Sequence, residues 1–400
     1  MSDLSYLNPF RPGAGHVPPY LAGRSSEQEE MRRLLHQTTI TENMVLTGLR
    51  GVGKTVLLET FKPLATECGW LWTSADLSES VSVTEESLAT RILTDIALLA
   101  APFLTYEEKR RTIGFTAEEQ VVRHPLNFHA LKQYYDSVPG LVADKLKSVF
   151  EFVWEYLPKP SVKGVVFAYD EAQNMTDHAM RDQYPLSVLL EVFQSIQRKD
   201  IPFMLVLTGL PTLFPKLVEA RTYAERMFHV VFLKPLDKES TKEAILKPIE
   251  DASCPIKFSP PAVEAIWDLS RGYPHFIQFV CKEIFNAWLI QIANKEVPSI
   301  PREEIILKLD TNFFSGRWAK VTDRQRDLLH VIALLDGCDS EFSVQEVVTK
   351  SKISASKPFT ASHVNQMLVS LADLGLIYKN RFGKYSLAVP LMSGFIRRQI

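Results

Sequence analysis

The sequence predicts an α/β fold built on a parallel sheet, and three observations carry the prediction. A short apolar strand, Met44-Val45-Leu46-Thr47, runs into a glycine-rich loop and then a helix. Two continuous apolar runs, Val165 to Tyr169 and Pro202 to Gly209, lack polar alternation, as expected of strands buried on both faces of a parallel sheet. Stretches of helical spacing lie between these runs, which is the alternation of a layered α/β domain.

The elements follow in order. Residues 1–16 are rich in Pro and Gly and read as a lead-in loop, because neither a helix nor a central strand tolerates Asn8-Pro9-Phe10-Arg11-Pro12-Gly13. Ser25 or Ser26 caps a helix through Glu27, Met31, Leu34 and Leu35. After the first strand and its loop, a helix runs from Lys54 through Leu57, Leu58 and Phe61. Gly69 to Ser74 is the next strand, and Leu88, Ile92, Ile96 and Leu99 form one face of a helix. Residues 106–157, charged and aromatic, read as a helical insertion. Val165 to Tyr169 ends in Asp170-Glu171, and Val230 to Leu233 is a last short strand. Residues 17–236 are thus one α/β core. From 237 to 315 the pattern is helical: Ser240–Ile249, Pro261–Leu269 and Pro274–Ala293.

Residues 318–400 form a separate module. Thr322 and Gln325 have capping-box spacing before a helix through Leu328, Leu329 and Ile332. Ser343 opens a second helix, Thr360 a third, and Gly375 stops it. Leu376 to Tyr378 and Tyr385 to Val389 bracket a hairpin tip, Asn380 to Lys384. Three helices and a β-wing resemble a winged helix.

Composition sets bounds. With 46% hydrophobic and 23% charged residues, the chain is of the ordinary globular kind. Its net charge of -2 does not describe a polyanion binder. Charge is uneven, however: residues 318–400 carry 11 Lys and Arg against 7 Asp and Glu, while the remainder carries 34 against 40. A basic end on an acidic body admits a nucleic-acid contact and equally an ordinary solvated surface. Cys68, Cys254, Cys281 and Cys338 form no CxxC pair, so neither a zinc knuckle nor a disulfide framework is expected. No signal peptide is visible at the start, and runs such as Ile96 to Leu104 are too short to span a membrane. The expectation is a cytoplasmic protein with reduced thiols and no membrane partner.

Gly48-Leu49-Arg50-Gly51-Val52-Gly53-Lys54-Thr55 is a complete GxxxxGKT phosphate loop between a strand and a helix. The glycines let backbone N–H groups approach phosphate oxygens, and the helix directs its positive end at them. Lys54 supplies a compact charge for β- and γ-phosphates, and the Thr55 hydroxyl suits Mg2+. ATP and Mg2+ are the ligands expected. Asp170 at its strand end can hold the metal, and Glu171 can polarise an attacking water as general base.

With these motifs the chain resembles an AAA+ superfamily ATPase of the branch holding the origin-recognition initiators and the STAND signalling ATPases. The resemblance runs from about Pro18 to the C-terminus. It implies an AAA+ type three-layer parallel sheet, a helical lid over 237–315 and a C-terminal winged helix. Gly23-Arg24, with Glu27 behind, resembles the motif where such chains pass the adenine. Thr208, in Thr208-Gly209-Leu210-Pro211, matches the sensor-1 position, whose side chain contacts γ-phosphate or the lytic water. Arg226, in preference to Arg221, matches an arginine that reaches a neighbouring subunit's nucleotide, which implies a homo-oligomer in the ATP state. Gly272-Tyr273-Pro274-His275 resembles the turn into the lid helix. His275 stands where initiators place an arginine, so it either contacts nucleotide with Pro274 or caps its helix.

The resemblance implies a slow ATPase whose nucleotide state controls assembly or partner engagement. Two alternatives are an ATP-dependent DNA-binding initiator, loader or transposition helper, and a scaffold that hydrolyses little. In the DNA reading, the third helix of the module offers Ser362, His363, Asn365, Gln366 and Ser370, with Lys379, Arg381 and Lys384 on the wing. That helix has no Arg or Lys, so bidentate arginine readout is excluded there, and a protein partner is the other possibility.

Overall fold

The computed structural model describes residues 7–13, 15–100, 105–111, 119–252, 254, 256–380 and 384–399, with the backbone alone for 105–111 and 119–125. The chain forms two compact units. One comprises Ser26–Thr47 and Leu57–Val231. The other comprises the chain up to Ser25, Gly48–Val56 and the chain from Phe232 onward.

The first unit is built on a sheet of five strands. They are β1 (Asn43–Thr47), β2 (Trp70–Asp76), β5 (Gly164–Asp170), β6 (Phe203–Gly209) and β7 (Phe228–Phe232), in the order β2-β5-β6-β1-β7. β1 pairs parallel with β6, and β5 pairs parallel with both β2 and β6. All seven residues of β5 and of β6 are buried, which is why both read as unbroken apolar runs. Phe150, Phe167, Phe193 and Phe203 interlock at the core with ring centroids 5.2–5.6 Å apart. Such tilted and edge-on pairs add to the area they bury.

The base of this sheet is fixed by one buried amide. Asn43 accepts from the Leu205 N–H at 2.7 Å and donates to the Met227 carbonyl at 3.3 Å. It also exchanges hydrogen bonds with Gln197. Asn43 is 1% exposed, so these bonds replace water.

The insertion differs in part from the helix expected. Residues Thr105–Arg111 (β3) and Glu119–Pro125 (β4) form an antiparallel ladder, Thr105 opposite Pro125 and Arg111 opposite Glu119. Helices follow at Phe128–Ser137 and Val142–Tyr156. The helix propensity of a Glu/Lys/Arg-rich run is a weak prior, and strand pairing overrides it here.

In the second unit, helices Lys238–Asp251, Pro260–Ser270 and Pro274–Ala293 match the helical stretch expected. Pro274–Ala293 is long and apolar enough to cross a membrane, but Ile277, Val280, Cys281, Ile284 and Phe285 are buried in the core of the unit. The N-terminal segment packs on that helix. Asn8 donates to the Lys282 carbonyl and to Asn286 Oδ1, and buried Phe10 stacks on Phe258 at 6.0 Å. Arg302–Leu309 and a π-helical turn, Asp310–Phe314, lead to the C-terminal module.

That module has helices Asp323–Ala333, Val344–Ser354 and Ala361–Asp373. Thr322 and Ser343 form capping boxes, and Thr360 caps the third helix. β8 (Ile377–Lys379) and β9 (Tyr385–Leu387) pair antiparallel, and Phe342 bridges to Tyr385. Ser370 departs from the outward position expected, because its hydroxyl accepts from Gln325 Nε2 at 2.9 Å. Arg381 lies outside the described residues, while Lys379 and Lys384 are exposed.

Candidate functional site

The phosphate loop is held by the second unit. Gly51 and Gly53 have φ of 77° and 94°, a region costly for any side-chain-bearing residue, so the loop can turn its N–H groups inward only with glycine there. Gly48 lies against the Leu233 carbonyl, 2.7 Å from where a Cβ would sit. Val52 is buried, Leu49 is half-buried and Arg50 is exposed.

Arg24 braces the loop. It is 6% exposed, and its guanidinium donates to the Val52 carbonyl at 3.0 Å and the Lys234 carbonyl at 2.8 Å. Gly23 has φ 61° and abuts Ser240. Lys54 Nζ donates to the Gly48 and Leu49 carbonyls at 3.0 and 3.1 Å, which holds the ammonium across the loop's own span. Thr55 opens the helix Lys54–Glu67, with Gly15 of the N-terminal segment beside it.

The lid turn meets the loop through backbone. The His275 N–H donates to the Gly51 carbonyl at 3.2 Å, which satisfies a donor of the first helical turn. The Pro274 ring lies near Gly53. The His275 ring packs among aromatics, 5.1 Å from Phe313, and burial lowers its pKa, which favours the neutral ring. Arg317 donates to the Phe313 carbonyl at 3.0 Å. Burial, and then the Arg50 guanidinium nearby, lower the Arg317 pKa. A cleft of about 220 Å³ beside the loop is lined by Leu49, Val52, Phe232 and Tyr273, with Asp339 and Glu341. Those two acids make it unfit for a phosphate chain.

The acidic strand end lies in the first unit. Asp170 is 4% exposed and accepts from the Thr208 hydroxyl and from the Glu171 N–H at 2.7 Å. Thr208 is fully buried, and its hydroxyl orients Asp170. Glu171 is exposed and sits at φ 52°, in the left-handed region. Its carboxylate accepts from Gln173 Nε2. Below Asp170, the Tyr169 hydroxyl donates to Asp95 Oδ2 at 2.9 Å, and Asp95 pairs with Arg91.

Asp76 was not anticipated. It ends β2 in register with Asp170, and its carboxyl is raised first by burial, then by Asp170 and Glu171. The available signal was an acid closing the strand after the loop helix. Arg226 is exposed and among the described residues has no ion-pair partner, whereas Arg221 pairs with Glu191 at 3.4 Å.

The loop residues fit the phosphates of a nucleotide. The loop supplies inward-turning donors and a lysine. The strand end supplies a buried, oriented carboxylate. Mg2+ characteristically takes one or two protein oxygens, with phosphate and water completing its shell.

Residues 20–210 match the family model described as AAA ATPase domain. Residues 311–396 match a family described as a domain of unknown function. A comparison with curated protein sequences gives no match. Among solved structures, the Aeropyrum pernix ORC2 protein in its ADP form is similar at 14% identity, with 97% of each chain covered and a TM-score of 0.55. Its ADPNP-ADP complexes give 14%, 97% of each chain and 0.50. The Aeropyrum pernix ORC1 protein in complex with DNA gives 15%, 96% of each chain and 0.47. At such identities the likeness to the ORC2 protein is one of fold.

Proposed function

Because residues 20–210 of this chain are an AAA ATPase domain, we propose that the protein is a slow ATP-binding and ATP-hydrolysing switch whose nucleotide state controls assembly or partner engagement. The carrying observation is the Gly48–Thr55 loop, with Gly51 and Gly53 at positive φ and Lys54 directed back across it. A fold like that of a protein solved with ADP supports the same reading.

In this reading the loop N–H groups and Lys54 bind the β- and γ-phosphates. Thr55 and Asp170 would hold Mg2+, which when bound neutralises charge on the phosphoryl oxygens. Glu171 takes a proton from water as its oxygen bonds to the γ-phosphorus. The bond to the bridging β-γ oxygen breaks, and ADP leaves with phosphate. Thr208 acts through Asp170 by fixing its orientation.

The test is ATP binding and turnover of three full-length proteins. Lys54→Ala should weaken ATP binding roughly 10–100-fold, as expected of a lost charge-assisted bond. Glu171→Gln should keep binding and lose about 10²–10⁴ in kcat, the worth of a positioned base. Undiminished turnover in Glu171→Gln rules out the assigned base. Tight ATP binding without turnover in the wild type favours the scaffold reading.

A second reading has its own support. The helix Ala361–Asp373 exposes His363, Asn365 and Gln366, and Lys379 and Lys384 are exposed on the adjoining hairpin. A winged helix with such a face and wing suits DNA, with phosphate contacts supplying affinity and polar side chains reading little sequence.

A further inference from the structure

β5 turns directly into a short 3-10 turn, Ala172–Asn174, and Gln173 within it is buried. Its side-chain amide makes two hydrogen bonds. Nε2 donates to the Glu171 carboxylate, and Oε1 accepts from the Leu210 N–H at 3.1 Å. Leu210 directly follows β6, two residues after Thr208. The orientation of the amide is forced by its partners. A backbone N–H can only donate and an ionised carboxylate can only accept, so the flipped amide would satisfy neither.

Two further observations concern the same residue. A Cβ at Gly209 would stand 2.7 Å from Gln173 Oε1 and 2.8 Å from Leu213 Cδ2, so glycine there leaves both side chains their place. The Gln173 carbonyl also accepts from Lys216 Nζ at 2.8 Å, on the helix Leu213–Ala220 that follows the Leu210 turn. Side chain and main chain of Gln173 thus both attach to the segment after β6. Meanwhile Glu171 holds a left-handed backbone conformation, which persists only where its surroundings impose it.

We propose that Gln173 is the positioning residue for Glu171, tying its carboxylate to the turn after Thr208 so that this turn sets where the base points. The proposal rests on Glu171 being the base. A neutral amide is suited to this role, because it orients one carboxylate oxygen without neutralising the group and leaves the other oxygen for water. A carboxylate at 173 would set acceptor against acceptor and would not substitute.

The test uses the full-length chain and two readouts. Gln173→Leu should speed hydrogen exchange of the Leu210 amide about tenfold, because its acceptor is gone. The same variant should lower kcat for ATP about 10–100-fold, the effect of a base misplaced by roughly 1 Å, with KM within twofold of wild type. Gln173→Glu should match that loss. Gly209→Ala, whose methyl crowds the amide and Leu213 while Gln173 is intact, should reproduce the kcat effect at unchanged KM with faster Leu210 exchange, and it serves if Gln173→Leu does not fold. Unchanged Leu210 exchange overturns the bridge. Unchanged kcat in Gln173→Leu, beside a Glu171→Gln variant that has lost turnover, overturns the positioning role alone. Unchanged turnover in Glu171→Gln overturns the base, and the positioning of it as well, while the exchange result still reports on the bridge.

Discussion

Asp76 stands in register with Asp170, and burial and two neighbouring carboxylates raise its pKa. A raised carboxyl pKa means that the folded state binds its proton more tightly than the unfolded chain. Its contribution to stability is therefore complete below the ordinary carboxylate value and is lost as pH rises through the raised one. Asp76→Asn removes the charge. The variant should unfold at a higher temperature than wild type at pH 7, and the difference should close below about pH 4. Thermal unfolding across pH checks this, and an equal gain at every pH would contradict it. That Asp170 closes a buried strand with Glu171 beyond it was legible in the sequence, because an apolar run ending in acids is a local signal, and Thr208 was singled out by the family resemblance. Asp76 and Gln173 were not. The bond from Gln173 to the Leu210 N–H spans 37 residues and exists only because β5 and β6 are neighbours.

Among elements, β1 depends on one side chain at its start. Asn43 serves the Leu205 N–H and the Met227 carbonyl together. Asn43→Ala leaves both without that partner and should cost about 2–6 kcal/mol, at roughly 1–3 kcal/mol for each buried unsatisfied group. Urea unfolding should show a lower midpoint at unchanged slope, and a loss under about 0.5 kcal/mol would mean that water replaces the amide. The strands of the sheet were legible because two of them are apolar throughout. The caps at Thr322, Ser343 and Thr360 were legible because their chemistry spans three or four residues. The β3–β4 ladder was not, since its charged sequence carries no alternation to mark a strand. The π-helical turn at Asp310–Phe314 likewise has no spacing that would announce it.

For the whole molecule, the question is what ATP changes. If Arg226 acts on a neighbour's nucleotide, ATP should raise the sedimentation coefficient above that of a monomer. Arg226→Ala should then lose kcat on the order of a hundredfold with ATP binding intact. Turnover linear in protein concentration, with a monomer persisting in ATP, would remove that role. If DNA is the partner, complex formation should weaken steeply with salt. Lys379→Ala with Lys384→Ala should lower the slope of log K against log salt by about two.

The phosphate loop belongs to a unit whose other parts are the residues up to Ser25 and, much later in the chain, those from Phe232 onward. Gly48–Val56 packs with residues from Phe232 onward, and its braces at Leu233, Lys234 and Pro274 are encoded roughly 180 residues or more downstream. On the ribosome, at about 5–20 residues per second, the loop and Arg24 emerge on the order of ten to thirty seconds before the braces at Leu233, Lys234 and Pro274. A nascent chain stopped after β7 contains every residue of the GxxxxGKT motif and lacks most of what holds it. The loop thus reaches its described shape only after residues as far as Pro274 have been made.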